Sequence, residues 1–301
     1  MKKYSLSFLA NSYPIPRGGD PLKTCDLHTH SVYSDGTFTP AELIDAAIDA
    51  GLSAIAMTDH NTVSGLNDFA AAGEGKPIEL APGVEFTTAD NGIELHILGL
   101  FIAPECHSTI NSYIDKAATL KEESNYRLVK RLQEHGYDIT YVEILENSKG
   151  HVNRANIAAE LVNKGYIESI DWAFKNILHK DYGLYEPPER LSSIETIRFI
   201  REIGAVAVWA HPYFHMTFDQ AEEFLPRAVA AGLQGMETIY STYDDATTKK
   251  AKEVCRRFGI CESGGSDFHG ANKPKISLGK GFGNLRIPYE FYERLKSLKN
   301  T

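Results

Sequence analysis

The sequence predicts an α/β protein with a mostly parallel sheet, because short apolar runs alternate with helical patterns along most of its 301 residues. The apolar runs are nearly continuous, which is typical of strands that are covered on both faces. A third observation is that histidines and carboxylates recur close to where these runs end. Because α/β barrels build their active sites at the carboxyl ends of the strands, this pattern predicts a functional site there.

The predicted elements follow one another in order from residue 24. The segment TCDLHTH (24–30) is predicted to end a strand, and a capping box from Thr39 to Glu42, with Pro40 at the first helical position, opens a helix that stops at Gly51. Further strands are predicted at 53–60, 78–86, 93–101, 204–211, 235–240 and 259–269. Later helices are predicted at 193–204 and at about 219–231 and 244–258.

Residues 105–189 interrupt this alternation, since they carry helical patterns and little strand, and a Pro-Pro pair lies close to their end. We therefore predict a helical insertion or cap domain at 105–189. It would lie between the two halves of a discontinuous barrel domain at 22–104 and 190–290. Residues 1–21 are predicted to be an N-terminal extension, with a signal peptide as the alternative.

Composition excludes some classes of protein. The chain has 31 Lys+Arg and 40 Asp+Glu, a net charge of −9, which argues against coating nucleic acid through a broad basic surface. No apolar run is long enough for a transmembrane helix, so no membrane partner is predicted. The four cysteines show no C-x-x-C spacing, which predicts reduced thiols and a cytoplasmic location. Neither a G-x-S-x-G motif nor a P-loop is present.

The candidate metal ligands are imidazoles and carboxylates spread over several predicted strands. They are His28, His30, Asp35, His60, Glu85, His96, His211, Asp267 and His269. His28 and His30, at i and i+2, would share one face of a strand and could bind one ion. Taken singly, each residue has an ordinary structural explanation, but their joint placement predicts a metal site. The mixed nitrogen and oxygen ligands suit Mn, Fe or Zn, and the lack of cysteine ligands argues against a thiolate zinc site.

The other histidines are predicted to be structural or surface residues: His107, His135, His151, His179 and His215.

The chain resembles the PHP (polymerase and histidinol phosphatase) family over about residues 24–270. The motifs that carry the resemblance are Asp26-Leu27-His28-Thr29-His30-Ser31, Ser34-Asp35-Gly36, Thr58-Asp59-His60, Gly83-Val84-Glu85, His96-Ile97-Leu98-Gly99, Ala210-His211-Pro212 and Gly265-Ser266-Asp267-Phe268-His269. This resemblance implies a distorted, TIM-like (β/α)7 barrel and a metal-dependent phosphoesterase. The insertion resembles the subgroup that acts on nucleoside 3′,5′-bisphosphates and on the 5′ ends of short RNA.

The resemblance also implies a set of two or three divalent ions, with Mn expected first and Fe, Zn or Mg as alternatives. One ion would be held by His28, His30, Glu85 and Asp267, and a second by Glu85, His96 and His211, with Glu85 as the bridge. A third would be held by Asp35, His60 and His269. Asp35, His60, Glu85, Asp267 and His269 are the expected catalytic residues. A metal-activated hydroxide would attack the phosphorus of a phosphate monoester.

Four residues are candidates for substrate binding: Arg154, Lys180, Tyr185 and Tyr240. Arg154 resembles an arginine at the start of an insertion helix in the nucleotide-acting subgroup and would bind a second phosphate; the alternative is a solvated surface arginine. The family pattern places a histidine after this arginine, where this chain has Ala155 and Asn156. Tyr240 and Glu237 are also candidates for orienting the ligands.

The predicted partner is a small phosphorylated substrate, expected to be a nucleotide such as a nucleoside 3′,5′-bisphosphate or an AMP-like molecule. Short RNA 5′ ends are an option, and no required protein partner is predicted. Three alternatives remain open: a histidinol-phosphate phosphatase, an amidohydrolase or deaminase, and a non-catalytic metal-binding relic. Asp35, Glu85 and His269 favour a phosphoesterase over a deaminase, and the presence of every ligand position argues against a relic.

Overall fold

A computed structural model describes residues 23–148, 152–179, 183–188 and 190–299. The strands are β1 (Cys25–Asp26), β2 (Ala54–Met57), β3 (Glu79–Asp90), β4 (Ile93–Leu100), β5 (Leu191–Ser192), β6 (Val206–Ala210), β7 (Gly235–Tyr240) and β8 (Cys261–Gly265). They form one sheet in the order β1-β2-β3-β4-β6-β7-β8, with β5 beside β3. The segments after β8 and β1 also meet, since the Leu27 amide donates to the Gly264 carbonyl and Thr29 pairs with Phe268. The sheet is therefore a nearly closed, TIM-like barrel, as predicted.

Most of the helices cover the outside of this barrel or build the segment between β4 and β5. They are α1 (Pro40–Asp49), α2 (Leu66–Gly73), α3 (His107–Glu134), α4 (Tyr141–Asn147), α5 (Arg154–Asn163), α6 (Ile170–Asn176), α7 (Ser193–Glu202), α8 (Pro212–His215), α9 (Phe218–Ala231), α10 (Asp245–Phe258) and α11 (Tyr289–Ser297). Thr39 caps α1 through the predicted capping box. Within the described residues, none of these helices combines the length and the apolar character needed to cross a membrane.

Strand β4 departs from the parallel arrangement of the rest of the barrel. It pairs antiparallel with both β3 and β6, whereas the other ladders are parallel. The cause is local, because Asn91 and Gly92 both have positive φ (49° and 79°), the conformation of a two-residue hairpin turn. The mostly parallel sheet is confirmed, but the predicted end of the third strand at 86 is wrong, since β3 continues to Asp90. Glu85 thus lies within a strand.

The side chains on the two faces of the sheet pack into two separate apolar clusters. On β2, Ile55 and Met57 pack with the outer helices, whereas Ala54 and Ala56 face the barrel interior. The interior cluster includes Phe291 and its neighbours from α11, so the C-terminal helix fills one end of the barrel. The small alanine side chains leave room for these aromatic rings.

The helices α3 to α6 form a third apolar cluster. Its buried members include Leu128, Leu132, Ile144, Ile157 and Leu161, and it shares no residue with the two barrel clusters. This arrangement is compatible with an insertion that has its own core, and the predicted domain limits of 105–189 stay a prediction.

Candidate metal centre

The carboxylate of Glu85 lies at the centre of a group of histidines and is fully buried. Its Oε2 atom is 3.1, 3.2 and 3.0 Å from His28 Nε2, His30 Nε2 and His60 Nδ1. Its Oε1 atom is 2.7 and 3.0 Å from His96 Nδ1 and His211 Nε2. One carboxylate therefore lies between two groups of imidazoles, which is the position that a bridging ligand needs.

The strand geometry explains this position. Alternate residues of β3 face the barrel interior, so Glu85 points inward like Ala81. On β4, His96 shares the inward face with Leu98, and the hairpin register places His96 opposite Thr87, two residues from Glu85. The hairpin thus brings both side chains to one interior face.

A second carboxylate, that of Asp267, lies beside the same histidines. Its Oδ1 atom is 3.3 Å from His30 Nε2, 3.8 Å from His28 Nε2 and 3.4 Å from His269 Nδ1. The third carboxylate, that of Asp35, is more exposed, and its Oδ1 atom is 3.2 Å from His269 Nε2. The structure therefore brings all nine predicted ligands into one cluster.

Several subsets of this cluster place one potential ligand atom per residue within 4.8 Å of one another. The subsets are His28 with His30 and Asp267, His28 with Glu85 and His211, His60 with Glu85 and His96, and Asp35 with His30, His60 and His269. A further subset joins His96 and His211 to His215. These subsets overlap with the three expected ligand sets and add His30 to the third and His215 to the second. Which residue binds which ion stays a prediction.

Two of the candidate ligands have an unusual backbone conformation. His211 and Asp267 have positive φ values of 30° and 58°, which non-glycine residues adopt only at a cost in free energy. Each follows directly or closely on a barrel strand, β6 or β8, and turns the chain so that the side chain joins the cluster. Such strain, held by the surrounding structure, is common at functional sites.

The hydrogen bonding of the cluster is incomplete, and this supports a metal site. Buried imidazole nitrogens without a hydrogen bond in the described part of the chain are His28 Nε2, His30 Nδ1 and Nε2, His60 Nδ1, His211 Nδ1 and His269 Nε2. The Oε2 atom of Glu85 likewise has no hydrogen-bond donor there. Buried polar atoms normally have hydrogen-bond partners. Several unpartnered nitrogen and oxygen atoms in one cluster therefore fit a site for divalent cations with nitrogen and oxygen ligands.

Other side chains hold the ligands in orientation. Glu237 is fully buried, and its Oε1 atom lies 3.0 Å from His28 Nδ1, while its Oε2 atom accepts the backbone N–H of His211 at 2.6 Å. The Nδ1 of His269 lies 2.8 Å from the carbonyl oxygen of Asp267. The contacts of His28 and His269 each engage one ring nitrogen and leave the other directed into the cluster, the usual arrangement for a metal-binding histidine.

The Asp59 carboxylate supports the loop that carries Asp35. It accepts hydrogen bonds from the backbone N–H of Ser31 at 2.8 Å and from the hydroxyls of Ser31 and Ser34 at 2.6 and 2.5 Å. Asp59 is therefore a loop anchor, in addition to being a neighbour of His60.

Gly265 supplies the space for His28. A Cβ atom at residue 265 would lie 2.1 Å from the Cβ of His28 and 3.0 Å from a carboxylate oxygen of Glu237. Any larger residue would push His28 out of the cluster.

The electrostatics couple the carboxylates to the imidazoles. Burial alone would raise the pKa of Glu85, but His28 and the neighbouring imidazoles hold this pKa well below its usual range. Burial alone would lower the pKa of His28, but Glu85 and Glu237 outweigh it and raise the pKa. For His269, burial and then the charge of His30 lower the pKa to about 4. The neutral imidazole of His269 is the form that binds a cation.

The predicted substrate residues lie in two places. The hydroxyl of Tyr240 is buried and donates to Asp267 Oδ2 at 2.8 Å. Arg154 is the first residue of α5, and its guanidinium lies over the rings of Tyr185 and Phe174, at 4.4 and 5.2 Å from their centroids. Lys180, like His151, lies outside the described residues. Contact between these residues and substrate stays a prediction.

Arg154 and Tyr185 line an open cavity of about 720 Å³ in the insertion, together with Lys121, His179 and Arg190 among others. Arg190 connects this cavity to the cluster, because its guanidinium pairs with Glu94 Oε2. The other oxygen of Glu94 is 3.2 Å from His96 Nε2. The cavity therefore borders the candidate metal centre.

Sequence reasoning missed His215, which it assigned to a structural or surface role. The ring centroids of His96 and His211 lie 5.3 and 5.7 Å from that of His215. Burial, followed by the charges of His211 and His96, lowers the pKa of His215 to about 4. Its spacing of four residues after His211 was the available signal, because the single helical turn of α8 between them brings the chain back beside His211.

Lys273 and Arg190 were also missed. Lys273 donates to Asp267 Oδ2 at 2.8 Å. Neither residue stands in a recognisable motif, so only the folded arrangement brings them to the site.

Named relatives span most of this chain. It is 30% identical to a 5′-3′ exoribonuclease from Haemophilus influenzae over 252 residues, which are 82% of this chain and 90% of the relative. It is 30% identical to a 3′,5′-nucleoside bisphosphate phosphatase from Chromobacterium violaceum over 261 residues, 82% of this chain and 88% of the relative. A phosphoribosyl 1,2-cyclic phosphate 1,2-diphosphodiesterase from Eggerthella lenta is 27% identical over 253 residues, 81% of this chain and 94% of the relative.

The fold also matches a solved structure. A protein from Bifidobacterium adolescentis, assigned as a metal-dependent phosphoesterase, superposes with a TM-score of 0.63 at 26% identity, covering 93% of this chain and 97% of that one. The family model described as PHP domain matches residues 26–186. This range includes six of the nine predicted ligands, and His211, Asp267 and His269 lie beyond it. The convergent ligands, the barrel and these matches agree: the chain belongs to the PHP domain family.

Proposed function

We propose that this protein hydrolyses a phosphate monoester on a nucleotide-type substrate that carries a second phosphate, such as a nucleoside 3′,5′-bisphosphate or a short 5′-phosphorylated RNA. The general assignment of this chain as a metal-dependent phosphoric ester hydrolase follows from its family and from the named relatives. The observation that carries the finer proposal is the cationic cavity of the insertion, which borders the candidate metal centre through Arg190, Glu94 and His96.

We assign the nine predicted ligands to a centre of up to three divalent ions, with Mn expected first. When bound, such ions supply an activated water near neutral pH and neutralise charge on the phosphoryl oxygens. The chain's own contribution is to hold the ligands, with Glu85 between the two histidine groups and Glu237 fixing His28 and His211. This arrangement needs no serine or cysteine nucleophile.

The second phosphate would bind at Arg154. One guanidinium nitrogen, Nη1, donates to the carbonyl of Leu178 at 3.1 Å, and the rings of Tyr185 and Phe174 lie within cation–π distance of the group. A guanidinium has five N–H donors in a planar fork, so donors remain for a phosphate. Lys121 adds positive charge to the same cavity, which Arg190, paired with Glu94, also lines. Such a local charge outweighs the net −9 of the chain at short range.

The test is a comparison of substrates with the Mn-loaded enzyme. Adenosine 3′,5′-bisphosphate, a 5′-phosphorylated trinucleotide RNA, histidinol phosphate, a cyclic phosphodiester and an aryl phosphate would be assayed side by side. We expect the highest kcat/KM for the bisphosphate or the RNA. Fastest turnover of histidinol phosphate, or of the cyclic phosphodiester, would replace the proposed substrate class.

The role of Arg154 is tested with the same substrates. Arg154→Ala should raise KM for the bisphosphate by about ten- to a hundredfold, the size of a lost charge-assisted hydrogen bond, and change KM for the aryl phosphate little. Arg127→Ala, on the exposed surface of α3, is the matched control. Equal effects of Arg154→Ala on both substrates would reject the second-phosphate role.

A further inference from the structure

Lys273 approaches the candidate metal centre through Asp267. Its ammonium donates to Asp267 Oδ2 at 2.8 Å, and the Tyr240 hydroxyl donates to the same oxygen at 2.8 Å. The other oxygen, Oδ1, faces His30 and His269. The two donors thus occupy the outer oxygen and leave the inner oxygen for a cation.

The loop that carries Lys273 is tied to the loop that carries Asp35. The backbone N–H of Ala271 donates to Thr37 Oγ1 at 2.9 Å, and Asn272 Nδ2 donates to the carbonyl of Asp35 at 2.7 Å. Gly270 permits this approach, because it has a φ of 62° and a Cβ there would lie 2.1 Å from Thr37 Oγ1. The position of Lys273 is therefore built into the fold beside two candidate ligands.

The ammonium of Lys273 lies where the cluster opens to solvent. Its side chain is 40% exposed, whereas that of Asp267 is 7% exposed. Among the ion pairs of the described residues, no other lysine or arginine pairs with Asp35, Glu85 or Asp267. An ammonium has three N–H donors, and Asp267 engages one of them, so donors remain for an incoming anion.

We propose that Lys273 binds an oxygen of the phosphoryl group that the enzyme removes. This inference rests on the proposed function. Asp267 has one oxygen directed to the cluster of candidate ligands and the other on Lys273, so a phosphoryl group bound at that cluster would lie beside the ammonium. Lys273 thereby adds a fixed positive charge to the phosphate site from outside the ligand set. It is a separate site from the insertion cavity, which would hold the second phosphate.

The experiment measures inorganic phosphate, the reaction product, binding to the Mn-loaded enzyme by calorimetry. Lys273→Ala should weaken phosphate binding by about ten- to a hundredfold, the effect of a lost hydrogen bond to a charged group, and Lys273→Arg should restore part of the affinity. Metal content, measured on the same samples by elemental analysis, should equal that of the wild type. Lys275→Ala, an exposed lysine two residues away, is the control and should bind phosphate normally.

Two results would overturn the proposal. Phosphate affinity of Lys273→Ala equal to that of Lys275→Ala would show that the ammonium does not reach phosphate. Loss of metal from Lys273→Ala would show that the lysine acts by holding Asp267. Failure of the wild type to hydrolyse any phosphate monoester would instead reject the proposed function, and the phosphate titration distinguishes that outcome because it needs no turnover.

Discussion

The Nδ1 atom of His28 lies 3.0 Å from the Oε1 atom of Glu237, although 209 residues separate them in the chain. Both side chains are fully buried. The second oxygen of Glu237 accepts the backbone N–H of His211, so one carboxylate on β7 orients two candidate ligands on different strands. A buried carboxylate in this position fixes the ring orientation of a metal-binding histidine and makes the imidazole a stronger ligand.

We predict that Glu237→Gln weakens Mn binding by about ten- to a hundredfold, the usual cost of losing such a partner. The amide keeps the shape of the side chain but not its charge. The affinity would be measured by titrating the metal-free protein with Mn. Glu262→Gln, on the neighbouring strand β8, is the control and should leave the affinity unchanged. An unchanged affinity in Glu237→Gln would show that His28 does not bind metal through this arrangement.

Asp59 leads to a prediction about stability. It is 2% exposed and accepts three hydrogen bonds from Ser31 and Ser34. Asp59→Ala leaves the buried N–H of Ser31 without its partner and should lower the free energy of unfolding by about 1–3 kcal/mol. Chemical denaturation would measure the free energy of unfolding. The control is Asp49→Ala, at the exposed end of α1, which should change this free energy by no more than about 0.5 kcal/mol. An equal effect of both variants would contradict the anchoring role.

The unpartnered nitrogens of the cluster predict that metal stabilises the fold. A cation that binds only the folded chain adds about 2.7 kcal/mol at a concentration of 100 Kd. Mn should therefore raise the melting temperature of the metal-free wild type, and a chelator should abolish phosphoesterase activity until Mn is returned. His28→Ala is expected to show a smaller rise in melting temperature with Mn than the wild type, because one of the expected ligand sets loses a member. A wild-type melting temperature that does not change with Mn, or activity that persists in the chelator, would contradict a metal centre.

The grouping of the nine candidate ligands could be predicted from sequence, because most of them stand in short motifs beside recognisable apolar runs. Even so, the expected end of a strand after Glu85 was wrong, since the Asn91-Gly92 turn extends β3 and reverses β4. The same turn places His96 on an antiparallel strand. Local patterns predict strands well, but the direction and length of a strand depend on turn conformation and pairing.

The supporting residues were harder to predict for a different reason. Lys273 and Arg190 act through single long-range contacts, to Asp267 and Glu94, that leave no periodic pattern in the chain. His215 carried a spacing signal, but a lone histidine after a proline has many ordinary explanations. Contacts of this kind depend on how distant segments of the chain pack together. No short stretch of the sequence indicates that packing.

The insertion supplies the last prediction. Ile157 is fully buried in the apolar cluster of α3 to α6 and lies one turn after Arg154 on α5. Ile157→Ala should leave a cavity that costs about 2–5 kcal/mol locally, and the loosened helix should misplace the guanidinium. We therefore expect a larger rise in KM for a nucleoside bisphosphate than for an aryl phosphate.

The matched control is Ile197→Ala, a fully buried residue of the outer barrel cluster. It should lower stability by a similar amount while changing the kinetics of both substrates alike, because the barrel carries the candidate metal ligands, on which every substrate is expected to depend. Steady-state kinetics with the two substrates would separate the variants. If Ile157→Ala impaired both substrates equally, the insertion would not act as a substrate-selective unit with its own core, and the proposed division at 105–189 would lose its functional meaning.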